Sequence, residues 1–103
     1  MPDMPEMRFL VRWPDGEEIL CYSPSLVVRE YLEVGRSYPI ADFILRSRAM
    51  LGIASERVKA KFGHYCSAAM DQLSQIEARA ALFDSDHPSG SITIVRFELP
   101  EDA

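Results

Sequence analysis

Few residues of this 103-residue chain stand where chemistry could be concentrated. His64 and Cys66 are close in sequence, but residues two apart on a helix project about 200° from each other, so they do not offer one ion two ligands from the same face. Cys66 borders an apolar stripe, where a small hydrophobe is its expected role, and Cys21 in a strand reads the same way. Asp84, Asp86 and His87 are expected to share a loop. Pro88 and Ser89 then occupy the fifth and sixth positions of a calcium-loop spacing and no Glu follows at the twelfth, so a solvated turn is expected. The glycines at 16, 35, 52, 63 and 90 lie far apart, which leaves neither a phosphate-cradling loop nor a dinucleotide fingerprint, and no Ser occupies a nucleophile elbow. The sequence predicts no catalytic residue, no metal ligand set and no cofactor. Tyr22, Tyr38 and Arg57 remain as candidate ligand or partner contacts, because amphipathic aromatics beside turns favour interfaces. Trp13 is expected in the core.

Charge is unevenly placed. The net −5 divides into −3 over residues 1–28, +3 over 29–70 and −5 over 71–103. Arg46, Arg48, Lys59 and Lys61, together with Arg57, are the candidate anion contacts of the basic middle third, within a screening range of roughly 8 to 10 Å in physiological salt. A short helix over 43–51, a turn at Gly52 and a second helix over 54–62 would imitate a helix-turn-helix. Ser47 and Arg48 stand where the first helix needs small or apolar packing residues, Lys61 falls where the second turns inward, and the whole domain lacks the basic surplus that phosphate contacts require. Nucleic acid is therefore the lesser expectation.

Elements must position whatever site exists. Met7, Phe9, Val11 and Trp13 alternate with Arg8 and Arg12, the period of a half-buried strand. Pro14-Asp15-Gly16 supplies turn chemistry, returning the chain through residues 18–22 as a hairpin. Ser23-Pro24-Ser25 ends that strand, and a helix from Leu26 to Glu33, stopped by Gly35, follows. Ser37 and Pro39 mark the start of a second helix running to about Leu51, which Gly52 breaks or bends. From Val58 the apolar positions 62, 65, 69, 73, 76, 80 and 83 recur at a mean step of about 3.6, which is helical. Gly63 inside the run costs roughly 1 kcal/mol relative to Ala and marks a point where a kink or break is possible. Residues 92–99 are β-branched and aromatic, a closing strand. The expected fold is α+β in the order ββαααβ: a three-stranded, mostly antiparallel sheet with helices on one face. One domain is expected over 1–103, with flexible ends at 1–6 and 100–103.

If residues 55–83 form one continuous helix, it spans roughly 44 Å, against about 23 Å for a seven-residue strand. Such a rod outruns its sheet, and Leu73, Ile76, Ala80 and Phe83 become candidate dimer contacts in a two-fold homodimer. The apolar fraction of 48% and charged fraction of 26% are those of a globular protein. No apolar run approaches the roughly 20 residues that span a bilayer, the first residues are acidic where a signal peptide is basic, and two Cys are too few for a disulfide scaffold. The expectation is a cytoplasmic protein with reduced thiols and no membrane contact.

Several strings are familiar: Arg12-Trp13-Pro14-Asp15-Gly16, Cys21-Tyr22-Ser23-Pro24-Ser25, Ser37-Tyr38-Pro39, and Ala54-Ser55-Glu56-Arg57-Val58 with Lys61 and Gly63. Over most of residues 4–70 the chain resembles the small bacterial nitrogen-starvation response proteins encoded in nitrilase gene clusters. The resemblance implies a metabolic setting, a nitrile or cyanide-related nitrogen source, and potential partners encoded alongside: a nitrilase, a radical-SAM protein, an acetyltransferase and a flavin-dependent oxidoreductase. It carries no catalytic motif. The leading expectation is a non-enzymatic accessory or interaction protein of nitrogen starvation. The alternatives are a DNA-binding regulator acting through the basic helical pair and a small-molecule-binding or enzymatic domain with a pocket between sheet and helices.

Overall fold

The computed structural model describes residues 5–64, 67–86 and 90–100, with side chains of 84–86 left aside. The hairpin forms as its residues dictate. Strand β1 (Met7–Arg12) and strand β2 (Glu18–Ser23) pair antiparallel, Met7 opposite Ser23 and Arg12 opposite Glu18. Between them the Gly16 N–H donates to the Trp13 carbonyl at 2.8 Å, Asp15 Oδ1 accepts the Glu17 N–H, and Gly16 holds φ +90°, which side chains other than glycine resist.

The remaining elements are helix α1 (Val28–Tyr31), strand β3 (Ser37–Pro39), helix α2 (Ile40–Phe62), helix α3 (Ser67–Asp86) and strand β4 (Ser91–Glu98). The sheet therefore has four strands, not three, in the order β2-β1-β4-β3, antiparallel throughout. The missed strand is the Ser37-Tyr38-Pro39 stretch, expected as a helix start. Backbone bonds Gly35 N–H to Ile94 O and Ile94 N–H to Arg36 O carry the chain into register with β4, and Tyr38 is buried beneath it. Pro39 is tolerated because β3 lies at the sheet edge, where a missing donor breaks no ladder. The helix after Ser25 is also shorter than the expected 26–33, a single turn over Val28–Tyr31.

Two further corrections concern glycine. Gly52 neither breaks nor bends a helix: α2 runs through it for 23 residues. Its cost of about 1 kcal/mol is outweighed by Met50, Leu51, Ala54 and Val58, which bury one continuous face on either side. Gly63 does end the helix, at φ +85°, its N–H returning to the Lys59 carbonyl at 2.8 Å. The rod expected over 55–83 is thus two antiparallel pieces of α2 and α3 folded against each other. Tyr65 and Cys66, between them, lie outside the described residues, as do His87, Pro88, Ser89, residues 1–4 and residues 101–103 of the expected flexible ends.

Both long helices cover one face of the sheet. Met7, Phe9 and Val11 from β1, Cys21 from β2 and Ile92 and Ile94 from β4 meet Phe43, Met50, Leu51 and Ala54 of α2 and Ile76, Ala80 and Phe83 of α3. A bulge between Leu10 and Val11 lets β4 keep Phe97 opposite Phe9 and Ile94 opposite Val11, so both still point inward. Exposed Arg8, Arg12, Glu18 and Arg96 project from the opposite face, where Arg12 and Glu18 pair across the strands at 2.7 Å.

Candidate functional site

Where β2 meets α3 the packing leaves a groove of about 480 Å³. Buried Trp13, Cys21 and Ile76 and half-buried Ile19 form its apolar floor, and Gln72, Gln75, Arg79 and Leu82 of α3 form its rim. Trp13 is 2% exposed, stacked on Phe83 at 5.8 Å and edge-on to Phe43 at 5.9 Å. Its indole N–H has no acceptor among the described residues. Arg79 lies over both the Trp13 and Phe83 rings and reaches Asp15 at 3.3 Å and Glu17, locking the hairpin turn onto α3. Leu82, at 66% exposed, stands over the groove with its side chain in solvent. Burial pushes the Cys21 thiol up to about 12, so it is a neutral apolar group of the floor rather than a nucleophile.

The groove runs beside an open sheet edge, because β2 is the outermost strand on that side. The Tyr22 N–H turns away from β1 and donates to Gln72 Oε1 at 2.9 Å. In an antiparallel pair the backbone groups alternate in direction, so Glu18, Leu20 and Tyr22 all face outward. Gln72 covers one outward donor, and among the described residues no side chain is bonded to the outward backbone of Leu20, a residue 43% exposed.

The residues expected to contact a ligand do not converge on this groove. Tyr22 projects from the helix-free face of the sheet, with the Arg8 guanidinium 5.5 Å from its ring. Tyr38 is core: its hydroxyl accepts the Glu33 N–H at 2.9 Å, and Arg46 lies 4.6 Å from its ring. Arg57 lies elsewhere, donating to Ser25 Oγ at 2.9 Å at the base of a separate cavity.

Of the anion candidates, Arg46 is committed to Asp42 and to the Tyr31 carbonyl, and Arg48 to Glu77 at 2.6 Å. Lys59 and Lys61 are exposed on the last turn of α2. Because α2 is continuous through Gly52, the helix-turn-helix arrangement is not formed. The dimer candidates are corrected too: Ile76, Ala80 and Phe83 are buried in the chain's own core and Leu73 packs against it, since the turn at Gly63 brings α3 back over the sheet. His64 is exposed just beyond α2, and among the described residues no three His, Cys, Asp or Glu side chains gather to hold a metal. No helix among them is long and apolar enough to cross a membrane.

Sequence reasoning missed Arg79 and Gln72. Arg79 carried a signal: it stands three residues from Ile76 and four from Phe83, an arginine against an apolar stripe, while the Asp15-Gly16-Glu17 turn offered acids. Gln72 gave none, since its role depends on where α3 crosses β2.

A family model described as nitrogen starvation-induced protein NitG matches residues 8–97. No curated protein and no solved structure matches the chain.

Proposed function

The chain belongs to the NitG family of nitrogen starvation-induced proteins, and on that premise we propose that it is a non-catalytic, cytoplasmic accessory protein that binds an extended segment of a partner protein along β2. The observation carrying this is the junction of an outward-facing strand edge with an apolar groove. Extended peptides bind by adding main-chain hydrogen bonds to an exposed edge and by seating alternate side chains in adjacent pockets. Leu20 supplies the first requirement, and the floor of Trp13, Ile19, Cys21 and Ile76 supplies the second. Gln72, bonded to the Tyr22 N–H by a single side-chain amide, is a removable cover: a strand that displaces it replaces its bond in kind. The co-encoded enzymes implied by the nitrilase-cluster resemblance are the first partners to try.

The test is co-purification from nitrogen-starved cells with native protein and with Leu82→Asp, a surface change that puts a charge on the rim without disturbing the fold. A partner recovered by the native chain and lost with the variant supports the assignment; a partner retained equally by both removes the groove from it. A second reading, a small molecule in the same groove, is favoured by its volume, which falls within the range of ligand sites. Thermal stabilisation by a nitrile, amide or nucleotide, abolished by a bulky substitution on the floor such as Ile19→Trp, distinguishes it, because a ligand selective for the native state must raise Tm.

A further inference from the structure

A second cavity, of about 380 Å³, opens on the other side of the hairpin's end, where the Ser23–Val27 loop meets α2. The loop is fixed by its own hydroxyls. Ser23 Oγ donates to the Ser25 carbonyl at 2.8 Å and accepts the Ser25 N–H at 3.2 Å, which holds Ser25 at 5% exposure. Ser25 Oγ accepts two N–H groups, from Val27 at 3.2 Å and from Arg57 Nη1 at 2.9 Å. A hydroxyl has two acceptor lone pairs and one donor proton. Both lone pairs of Ser25 are occupied, and no described residue accepts its proton. A buried O–H left without an acceptor is costly, so a site that supplies one is favoured.

The walls around that hydroxyl carry unspent positive charge. Arg57 makes no ion pair among the described residues; its bond to Ser25 uses one of five donors. Arg29, which lines the same cavity, makes neither an ion pair nor a side-chain hydrogen bond among them. Glu30 is the one acid in the lining, and Pro5, Leu26 and Val27 are its apolar part. Two guanidinium groups and one carboxylate leave a surplus of one positive charge, matched by one anionic group. Guanidinium forks fit the two oxygens of a carboxylate. Glu30 opposes a second negative charge on the ligand, and the apolar wall favours a ligand with a hydrocarbon body.

We propose that the cavity between the Ser23–Val27 loop and α2 binds a small organic monocarboxylate, its oxygens held by Arg57, Arg29 and the Ser25 hydroxyl and its hydrocarbon end against Leu26 and Val27. The site is separate from the β2–α3 groove and neither assignment depends on the other. It also gives Arg57 the ligand contact expected from the sequence, with Arg29 and Ser25 in place of the two tyrosines.

Titration of butyrate into isotope-labelled protein, followed by NMR at constant ionic strength, tests the site. Saturable shifts are expected at the Ser25 and Val27 amides and at the Arg57 Nε–H. Arg57→Gln weakens binding about 10- to 100-fold, the loss of a charge-assisted hydrogen bond, and Arg29→Gln weakens it less. Arg12→Gln, on the open face of the sheet, leaves it unchanged. If Arg57→Gln does not fold, Arg29→Gln decides, since that side chain holds nothing else in place. The assignment is overturned if butyrate leaves those resonances unmoved, if both arginine variants bind as the native chain does, or if inorganic phosphate binds more tightly than butyrate.

Discussion

The two ends of the β1–β2 hairpin are opposites. At the turn, Pro14-Asp15-Gly16 is drawn onto α3 by Arg79, and beside it the chain leaves an apolar groove floored by Trp13 and Cys21. At the other end, Ser23-Pro24-Ser25 builds a polar corner in which the buried Ser23 and Ser25 hydroxyls bond the loop backbone and Ser25 Oγ accepts one bond from Arg57. The groove gets its shape from the packing of large rings, and the corner from hydrogen bonds along five residues. Apolar packing carries the larger energies but is indifferent to direction, whereas a hydrogen-bonded corner is weaker and fixes where each donor points. One end is therefore suited to holding an extended hydrophobic segment and the other to orienting a charged group.

Substitutions at the two ends should separate them, beginning with the largest effect. Trp13→Ala removes the ring that Phe83 and Phe43 pack on and is expected to cost about 3–5 kcal/mol in thermal or urea unfolding, collapsing the groove while the rest of the sheet persists. Next is pH. The folded Cys21 thiol titrates near 12, above its unfolded value of 9.0, so the folded state holds the proton more tightly. The stability this contributes is complete below about pH 9 and is lost as pH rises through about 12, so alkaline unfolding followed by circular dichroism should be shallower in Cys21→Val. The same burial leaves the native thiol unreactive to iodoacetamide until the chain unfolds.

The corner responds less. Ser25→Ala leaves the Val27 N–H and Arg57 without their shared acceptor and is expected to cost about 1–3 kcal/mol, with the groove intact by tryptophan fluorescence. Arg79→Ala, which loses the cover over Trp13 and the tie to Asp15 and Glu17, is expected to cost about 1–2 kcal/mol in the same measurement. Smallest is Glu18→Gln: its pair with Arg12 lies in solvent, and a change below about 0.5 kcal/mol is expected. A loss at Ser25 matching that at Trp13 would break the contrast between packed groove and bonded corner.

Local chemistry was legible in the sequence where it was self-contained. The β1–β2 hairpin and the closing strand follow from alternation and turn residues, whereas at Gly63 the apolar period runs on unbroken and offers only a possible kink where the chain in fact stops in the left-handed region. Strand β3 was not legible, because three residues ending in proline carry no period and are ordered only by pairing with β4. Gly52 misled for the opposite reason: its local preference for a break is overridden by the buried face of α2 on either side. Trp13 was expected in the core and Arg57 at a ligand contact, but the groove itself depends on the angle at which α3 crosses β2. No spacing within either element encodes that angle. The corner was half visible, as Ser-Pro-Ser before a helix, while its link to Arg57 spans 32 residues.

The central claim is that the outer edge of β2 is a place where another strand adds. Amide exchange at Leu20, measured by NMR on the free protein and on its complex with a peptide selected from a random library, addresses it directly. The account predicts that Leu20 exchanges freely alone, becomes strongly protected in the complex, and loses that protection when Leu82→Asp weakens binding. A peptide that binds while Leu20 exchange stays unchanged would contradict it.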